Sequence, residues 1–167
     1  MQRFFLAGSF HRNWLTGLLV ALFVASSATL IGPGTVVDAS DPSTRVIQLA
    51  NFERARAGVR PLAANPNLAR SAQNYAYLLA RQNCWGHTCG PIPSFVNRNR
   101  AAGYTGRSQG ENLAMGQATA EAVIATWMAS PAHRWNLLNP NSTEVGVGLA
   151  YRGRYGTYWV LDLGARR

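Results

Sequence analysis

The sequence of 167 residues contains no lysine, only two cysteines and only three histidines. It also lacks the G-x-S-x-G turn that carries an esterase-type nucleophile, the H-E-x-x-H helix of zinc proteases and the glycine-rich loop that binds phosphates. No motif therefore supports the common hydrolase and nucleotide-binding classes, and an acyl-transfer triad would have to use a serine that no motif marks.

A long apolar run occurs only near the N-terminus. A basic segment with Arg3 and Arg12 precedes the stretch LTGLLVALFVASSATLI, and small residues follow at 37–39. This layout predicts a secretory signal peptide over residues 1–39, cleaved after Ala39, and a single exported domain over residues 40–167. The alternative is an uncleaved anchor, but a membrane span needs about 20 predominantly apolar residues and threonine, serine and glycine dilute this run. We expect a protein of the cell envelope or the extracellular space, monomeric and without a membrane span after cleavage.

Acidic residues are also scarce, at seven against 16 arginines, which gives a formal net charge of +9. Removal of residues 1–39 takes away two arginines and one aspartate and leaves +8. The arginines are scattered and do not alternate with aromatic residues, so the pattern favours a solvated basic surface. An anionic partner, such as an acidic wall polymer or phospholipid headgroups, is the alternative. Export argues against a nucleic-acid partner.

Both cysteines lie in one short stretch, CWGHTC, from Cys84 to Cys89. Thiols oxidise outside the cytosol, so the predicted export favours a disulfide between them. A loop this small contributes only about 2 kcal/mol to stability, and its expected role is to fix the backbone around His87. A zinc site built on the two thiolates is the alternative, and it would need a reducing compartment.

Helices fill the first two thirds of the sequence and strands the last third. Asp41-Pro42 and Asn65-Pro66 are each an N-cap followed by proline at the first helical position. The predicted helices cover 42–57, 66–83, 94–102, 119–129 and 132–138. ENLAM is a strand or a turn, and EVGVGLAY and TYWVLDLG form an antiparallel hairpin. This order predicts a layered α+β domain.

Two glycines in the first hairpin strand, Gly146 and Gly148, leave one strand face small. A helix packed closely on that face and the floor of a cleft are both compatible with the pattern.

Four side chains could carry chemistry in the predicted domain: His87, Glu111, His133 and Glu144. His133 lies in the first turn of a predicted helix, where the helix dipole favours a neutral imidazole. If the four converge, imidazole nitrogens and carboxylate oxygens suit a divalent metal such as zinc. The same set suits a metal-free acid/base pair, or a purely structural hydrogen-bond network.

Five ordered segments are similar to one known family. They are LANFERARAGVRPLAANPNLARSAQNYAYLLA, WGHTC, GENLAMGQAT, VIATWMASPAHRWNLLNPNSTEVGVGLAY and YWVLDLG. Together, over about residues 45–164, they resemble the CAP superfamily (cysteine-rich secretory proteins, antigen 5 and pathogenesis-related 1), also called the SCP domain, in its bacterial secreted branch. The resemblance implies an α-β-α sandwich, with a small antiparallel sheet between helical layers and a cleft lined by histidines and glutamates.

The resemblance also assigns positions to that cleft. His87 matches the histidine before the G-E-N motif, and Glu111 matches the glutamate of that motif. His133 matches the histidine of S-P-x-H-R, and Glu144 the glutamate of T-E-x-G-V-G. The animal and plant members take their second histidine from a G-H-F/Y-T-Q segment, which this sequence lacks.

Family membership implies less about activity than about shape, because one fold hosts many functions. Members have been linked to lipid or sterol binding, divalent-cation binding, defence and occasional proteolysis. We expect first a secreted binding module for a lipid, glycan or peptide, with or without a divalent metal. The alternatives are a metal-assisted or acid/base hydrolase resembling a protease, with His87, Glu111, His133 and Glu144 as its candidate catalytic residues, and a purely structural polar network.

Overall fold

The computed structural model describes residues 41–89, 91–151 and 153–166. The predicted signal peptide and its cleavage point lie outside the described residues. Among the described helices, none is both long enough and apolar enough to cross a membrane.

The described residues form five helices and four strands. The helices are α1 (Pro42–Arg56), α2 (Pro66–Gln82), α3 (Phe95–Ala101), α4 (Ala120–Ala129) and α5 (Pro131–Leu137). The strands are β1 (Ala63–Ala64), β2 (Arg107–Met115), β3 (Glu144–Tyr151) and β4 (Thr157–Ala165). The predicted caps are in place, because the side chains of Asp41 and Asn65 accept hydrogen bonds from the first-turn amides of α1 and α2.

The strands form one sheet in the order β1-β3-β4-β2. The β3–β4 hairpin is antiparallel, and β2 pairs antiparallel to the other side of β4. The two-residue strand β1 pairs parallel to β3, so the sheet is mixed where an antiparallel one was expected. β2 therefore lies at an edge of the described sheet, with β4 as its only neighbour there.

Helices cover both faces of the sheet, which confirms the predicted α+β sandwich. On one face, Val46 of α1 and Trp127 of α4 pack with Leu161 of β4 in the larger apolar cluster. On the other, Leu79 of α2 packs with Val160 of β4 in a second cluster. Side chains alternate along each strand, so neighbouring residues of β4 serve different layers.

Helix α2 packs against the face of β3 that carries Gly146 and Gly148. A Cβ atom added to Gly146 would overlap the backbone of Leu68 and Ala69, and one added to Gly148 would overlap that of Ala72. Of the two interpretations of these glycines, close helix packing is correct. The face holds no open cleft floor at this point.

Arg54 of α1 ties the connection between α5 and β3 to the core. Its side chain is fully buried, and its guanidinium donates hydrogen bonds of 2.7–3.0 Å to the carbonyls of Arg60, Leu137, Asn139 and Ser142. Burial lowers the pKa of Arg54 from its usual value. Backbone oxygens thus take the place of a counter-ion and hold the chain that leads into β3.

Candidate functional site

Glu111 is the centre of a polar cluster at the edge of the sheet. It lies on β2, and its side chain is almost completely buried. One carboxylate oxygen accepts a 2.8 Å hydrogen bond from Nδ1 of His87, and the other accepts one from the guanidinium of Arg98. Both oxygens are therefore engaged by cationic or proton-donating partners.

His87 is held from the backbone as well as from its ring. Cys84 and Cys89 are bonded to each other, as the sequence predicted, with Cα atoms 6.1 Å apart. The carbonyl of Gly86 accepts a 2.6 Å hydrogen bond from the hydroxyl of Tyr75, and the carbonyl of His87 accepts one of 3.0 Å from Arg98. The His87 side chain is still 58% exposed, and its Nε2 has no hydrogen-bond partner among the described residues.

Arg98 of α3 connects the parts of the cluster, and no sequence signal singled it out from the other arginines. Its guanidinium carbon lies 3.4 Å from the centre of the Tyr75 ring. Besides Glu111 and the carbonyl of His87, it donates a 2.6 Å hydrogen bond to the carbonyl of Pro93. Stacking and a fork of donors are features that arginine has and lysine lacks, so this side chain fixes Glu111 and the His87 loop together.

His133 reaches the same region from α5. Asn112, next to Glu111 on β2, donates a 3.0 Å hydrogen bond to the carbonyl of His133. Asn136, one turn further along α5, donates one of 3.2 Å to the carbonyl of Glu111. These amide contacts fasten α5 to β2, while Nδ1 of the half-buried His133 ring is buried and has no hydrogen-bond partner among the described residues.

The two imidazoles have opposite pKa shifts. The hydrogen bond that His87 donates to Glu111 raises the pKa of His87 above its usual value. Burial, and then the charge of His87, lowers the pKa of His133. The direction for His133 agrees with the sequence-based expectation, but burial is its main cause. One ring thus favours the protonated form and the other the neutral form.

Asp162 is a member of the cluster that sequence reasoning set aside. It lies on β4 directly opposite Glu111 in the strand register and is fully buried. Burial, and then the charge of Glu111, raises the pKa of Asp162 well above its usual value, against the influence of the Ser71 hydroxyl. The shift favours the protonated form of Asp162 beside the Glu111 carboxylate. The sequence does contain one signal for this residue, because Asp162 is an acid within the otherwise apolar strand TYWVLDLG.

Glu144 does not join these residues. It lies on β3, separated from β2 by β4, and accepts hydrogen bonds from Tyr104 (2.8 Å), Asn65 (3.3 Å) and Arg166 (3.3 Å). Burial alone would raise the pKa of Glu144, but these hydrogen bonds outweigh it and lower the pKa. The predicted convergence of four side chains therefore fails at this residue, which fastens the start of α2 and the end of β4 instead. We call His87, Arg98, Glu111, His133 and Asp162 the His87 site.

The donor groups of the His87 site do not form the four-ligand metal site expected from sequence. Both oxygens of Glu111 are occupied, Glu144 lies elsewhere, and the two cysteines are in a disulfide. Within the described ranges, no group of three or more histidine, cysteine, aspartate or glutamate side chains is arranged to hold a metal ion. The two-thiolate zinc alternative is excluded by the disulfide.

The fold and sequence of known proteins match this chain along most of its length. Residues 47–163 match the model of the Cysteine-rich secretory protein family, CAP. The protein YkwD of Bacillus subtilis (strain 168) is 34% identical over 139 residues, which cover 80% of this chain and 54% of YkwD. This chain thus spans about half of that relative.

Solved structures show the same fold at low sequence identity. An extracellular protein containing an SCP domain from Bacillus anthracis superposes with a TM-score of 0.70 at 22% identity, over 75% of this chain and 40% of that one. An outer surface protein of Borrelia burgdorferi superposes with a TM-score of 0.68 at 20% identity, over 74% of this chain and 92% of that one.

The sandwich of helices around a four-stranded sheet is thus that of an SCP domain. The chain belongs to the Cysteine-rich secretory protein (CAP) family, as its motifs implied.

Proposed function

We propose that this protein is a binding module outside the cytosol, and that the His87 site holds a polar group of its ligand. One observation carries the proposal: a buried carboxylate orients an imidazole whose side chain is 58% exposed. Holding a side chain in one orientation lowers the entropy cost of binding. The disulfide and the Arg98 contacts serve the same purpose, because they fix the loop that carries this ring.

The ligand group that suits the site is an oxygen acceptor. With Nδ1 engaged by Glu111 and the pKa of His87 raised, Nε2 carries a proton over a wider pH range and can donate it to a carboxylate, phosphate or hydroxyl oxygen. His133, whose pKa is lowered by burial and by the charge of His87, offers a second polar contact. Such groups occur in the lipid, glycan and peptide ligands considered from sequence.

Export is part of the proposal and has independent support. The N-terminal pattern is that of a signal peptide, and a disulfide persists in oxidising compartments. The two proteins of the same fold described above are named as extracellular and as an outer surface protein.

The test uses the exported protein and its His87→Ala variant against three defined panels: fatty acids and phospholipids, oligosaccharides, and peptides. A ligand found by ligand-observed NMR should lose at least about tenfold in affinity in the variant, the equivalent of 1.4 kcal/mol. The control is Arg60→Gln, which changes an exposed residue outside the His87 site. It should bind the ligand as the wild type does.

A structural network gives the opposite result. If the double variant His87→Ala/His133→Ala melts at a lower temperature yet binds every ligand found with wild-type affinity, the His87 site only holds helices on the sheet and the proposal is wrong.

Acid/base hydrolysis is a second candidate, favoured by the opposed pKa shifts of His87 and His133. Two titratable groups whose environments push their pKa values apart can serve as acid and base. This function predicts turnover of a peptide or wall polymer that Glu111→Gln reduces at least about a hundredfold. Inactivity of the folded wild type on a broad substrate panel would exclude the hydrolase function.

The proposal includes a divalent metal, but with two protein ligands instead of the four considered from sequence. Glu111 holds His87 as an outer carboxylate holds a metal-binding histidine, so Nε2 of His87 and the ring of His133 could supply two nitrogen ligands when zinc is present. Calorimetric titration with zinc tests this point. Absence of heat, for wild type and His87→Ala alike, removes the metal and leaves the binding module intact.

A further inference from the structure

A second polar surface follows the outer face of α2, away from the sheet. The inner face of the helix buries Leu68, Ala72, Ala76 and Leu79. Its outer face carries Arg70, Asn74, Tyr77 and Arg81, at the spacing that places side chains in one row along a helix. We call these four residues the α2 row. All four are exposed, Tyr77 by 55%.

A groove runs beside the α2 row. A hollow of about 250 Å³ opens between α2 and α3, and Arg70, Asn74 and Leu78 line it. The next hollow along the helix is lined by Asn74, Tyr77, Leu78, Arg81 and Gln82. The two hollows share Asn74 and Leu78 and therefore adjoin on the helix surface; together we call them the groove.

The groove is rich in donors and contains no acid. The sequence has no aspartate or glutamate between positions 54 and 110, while the same stretch has eight arginines. Acids elsewhere are engaged: the partly buried Glu53 pairs with Arg56, and the exposed Glu121 pairs with Arg45. Within the described chain, Asn74 and Arg81 have no hydrogen-bond or ion-pair partner. Their polar groups are free to meet a ligand.

We propose that this groove binds a linear anionic polymer whose units are sugars or polyols carrying carboxylate or phosphate. Arg70 and Arg81 are eleven positions apart, which is about 16 Å along a helix, so they reach two anionic groups of one chain. One guanidinium nitrogen of Arg70 donates to the Asn67 side chain and to the carbonyl of Ala102, which holds the group in place and leaves its other donors for a ligand. Guanidinium groups bind carboxylate and phosphate with paired hydrogen bonds. Asn74 and Gln82 offer amides for hydroxyl groups, and the exposed ring of Tyr77 offers an apolar face with a polar tip.

The shape of the surface favours a chain over a bilayer. An interfacial membrane site presents a convex apolar face to the lipid, whereas these residues line a depression. His87 lines neither hollow. Arg98 lines the hollow between α2 and α3, but its guanidinium is engaged by Glu111 and by backbone carbonyls. This inference therefore stands or falls independently of the proposed function of the His87 site.

The experiment measures binding of the exported protein to four probes: an alginate hexasaccharide, a glycerol-phosphate polymer, neutral maltohexaose, and phosphatidylglycerol vesicles. The test variant is Arg70→Gln/Arg81→Gln. The matched control, Arg60→Gln/Arg134→Gln, removes the same charge from exposed arginines that belong to neither site. A third variant, Tyr77→Ser, changes the groove without changing charge. Circular dichroism and melting temperatures establish that each variant is folded.

The proposal predicts binding to alginate or to the glycerol-phosphate polymer that weakens as salt is raised. Affinity should fall about tenfold in Arg70→Gln/Arg81→Gln and less than about twofold in the control, with an intermediate loss in Tyr77→Ser. A preference between the two polymers identifies carboxylate or phosphate as the recognised group.

Three results overturn the proposal. One is failure of both anionic polymers to bind the folded wild type. Another is an equal loss in the test variant and the control, which would mean that only net charge matters. The last is binding to the vesicles alone, which would make the surface a membrane contact.

Discussion

Arg54 is buried without an acidic partner, and its stability contribution comes from four backbone carbonyls. Replacement with methionine keeps much of the stem volume but leaves these buried carbonyls without their donor. We expect Arg54→Met to lower the free energy of unfolding by about 3 to 5 kcal/mol, measured by urea denaturation. Arg100→Gln, at an exposed residue of α3, should change it by less than about 0.5 kcal/mol. An equally small effect of Arg54→Met would show that water replaces the guanidinium at no cost.

The two histidines of the site should titrate on opposite sides of the ordinary histidine pKa of about 6.5. The hydrogen bond to Glu111 raises the pKa of His87, and burial lowers the pKa of His133. NMR titration, with ring signals assigned through His87→Ala and His133→Ala, measures both values. A His87 value at or below that of His133 would contradict the hydrogen bond to Glu111.

The same shifts fix how each ring contributes to stability. For His87 the folded-state pKa is above the unfolded one, so its contribution is present below about pH 6.5 and is lost as pH rises through the folded value. For His133 the folded-state pKa is the lower one, so its contribution is lost as pH falls from about 6.5 through the folded value. Melting curves of the two single variants across this range separate the two effects.

Residue-level reasoning found the groups with a motif and missed those defined only by packing. Cys84, Cys89, His87 and Glu111 stand in recognisable local patterns, and the structure joins them as pairs. Asp162 is a partner of Glu111 only through strand register, which a sequence does not display. Glu144 carries a motif as clear as that of Glu111, yet its three partners lie far away in sequence. The local sequence around Glu111 and Glu144 therefore does not show which of the two acids lies in the His87 site.

At the level of elements, the contact between α2 and β3 leaves no space at Gly148. A Cβ atom there would overlap the backbone of Ala72 and Gln73, so the helix would have to shift away from the sheet. We expect Gly148→Ala to lower the free energy of unfolding by about 2 to 3 kcal/mol.

Gly58→Ala is the matched control for Gly148→Ala. Gly58 has φ +69° but open space around it, so only the left-handed strain of about 1 kcal/mol applies. Chemical denaturation compares the two variants. A smaller loss for Gly148→Ala than for Gly58→Ala would mean that α2 adjusts easily.

The loop from Cys84 to Cys89 should matter more for the orientation of His87 than for global stability. The double variant Cys84→Ser/Cys89→Ser removes a small covalent loop, at a cost of about 2 kcal/mol. Without it the contact between His87 and Glu111 loosens, so the pKa of His87 should fall towards about 6.5, as NMR titration can show. An unchanged pKa would assign the orientation of the ring to Arg98 and Tyr75 alone.

Most elements could be predicted because their ends carry local signals. Proline after an N-cap residue marked the starts of α1 and α2, and alternation marked β3 and β4. β1 was missed because two residues give no periodicity and its pairing depends on a strand 80 positions later. ENLAM was too short to decide between strand and turn, since β2 begins four residues earlier, within polar sequence.

At the scale of the whole molecule, the layered class followed from the order of elements and the family from the ordered motifs. The strand order could not be read from the sequence, because β2 joins the sheet beside β4 rather than beside its neighbour in the chain. This arrangement places the C-terminal hairpin in the middle of the sheet.

That strand order sets when the chain can fold. The two central strands follow all the other described elements in the sequence, and α2 has no sheet to cover until residues 144–165 are present. Contacts between distant segments also form slowly. The proposed export would benefit from this delay, because the helices cannot close on a complete sheet before residues 144–165 have been made.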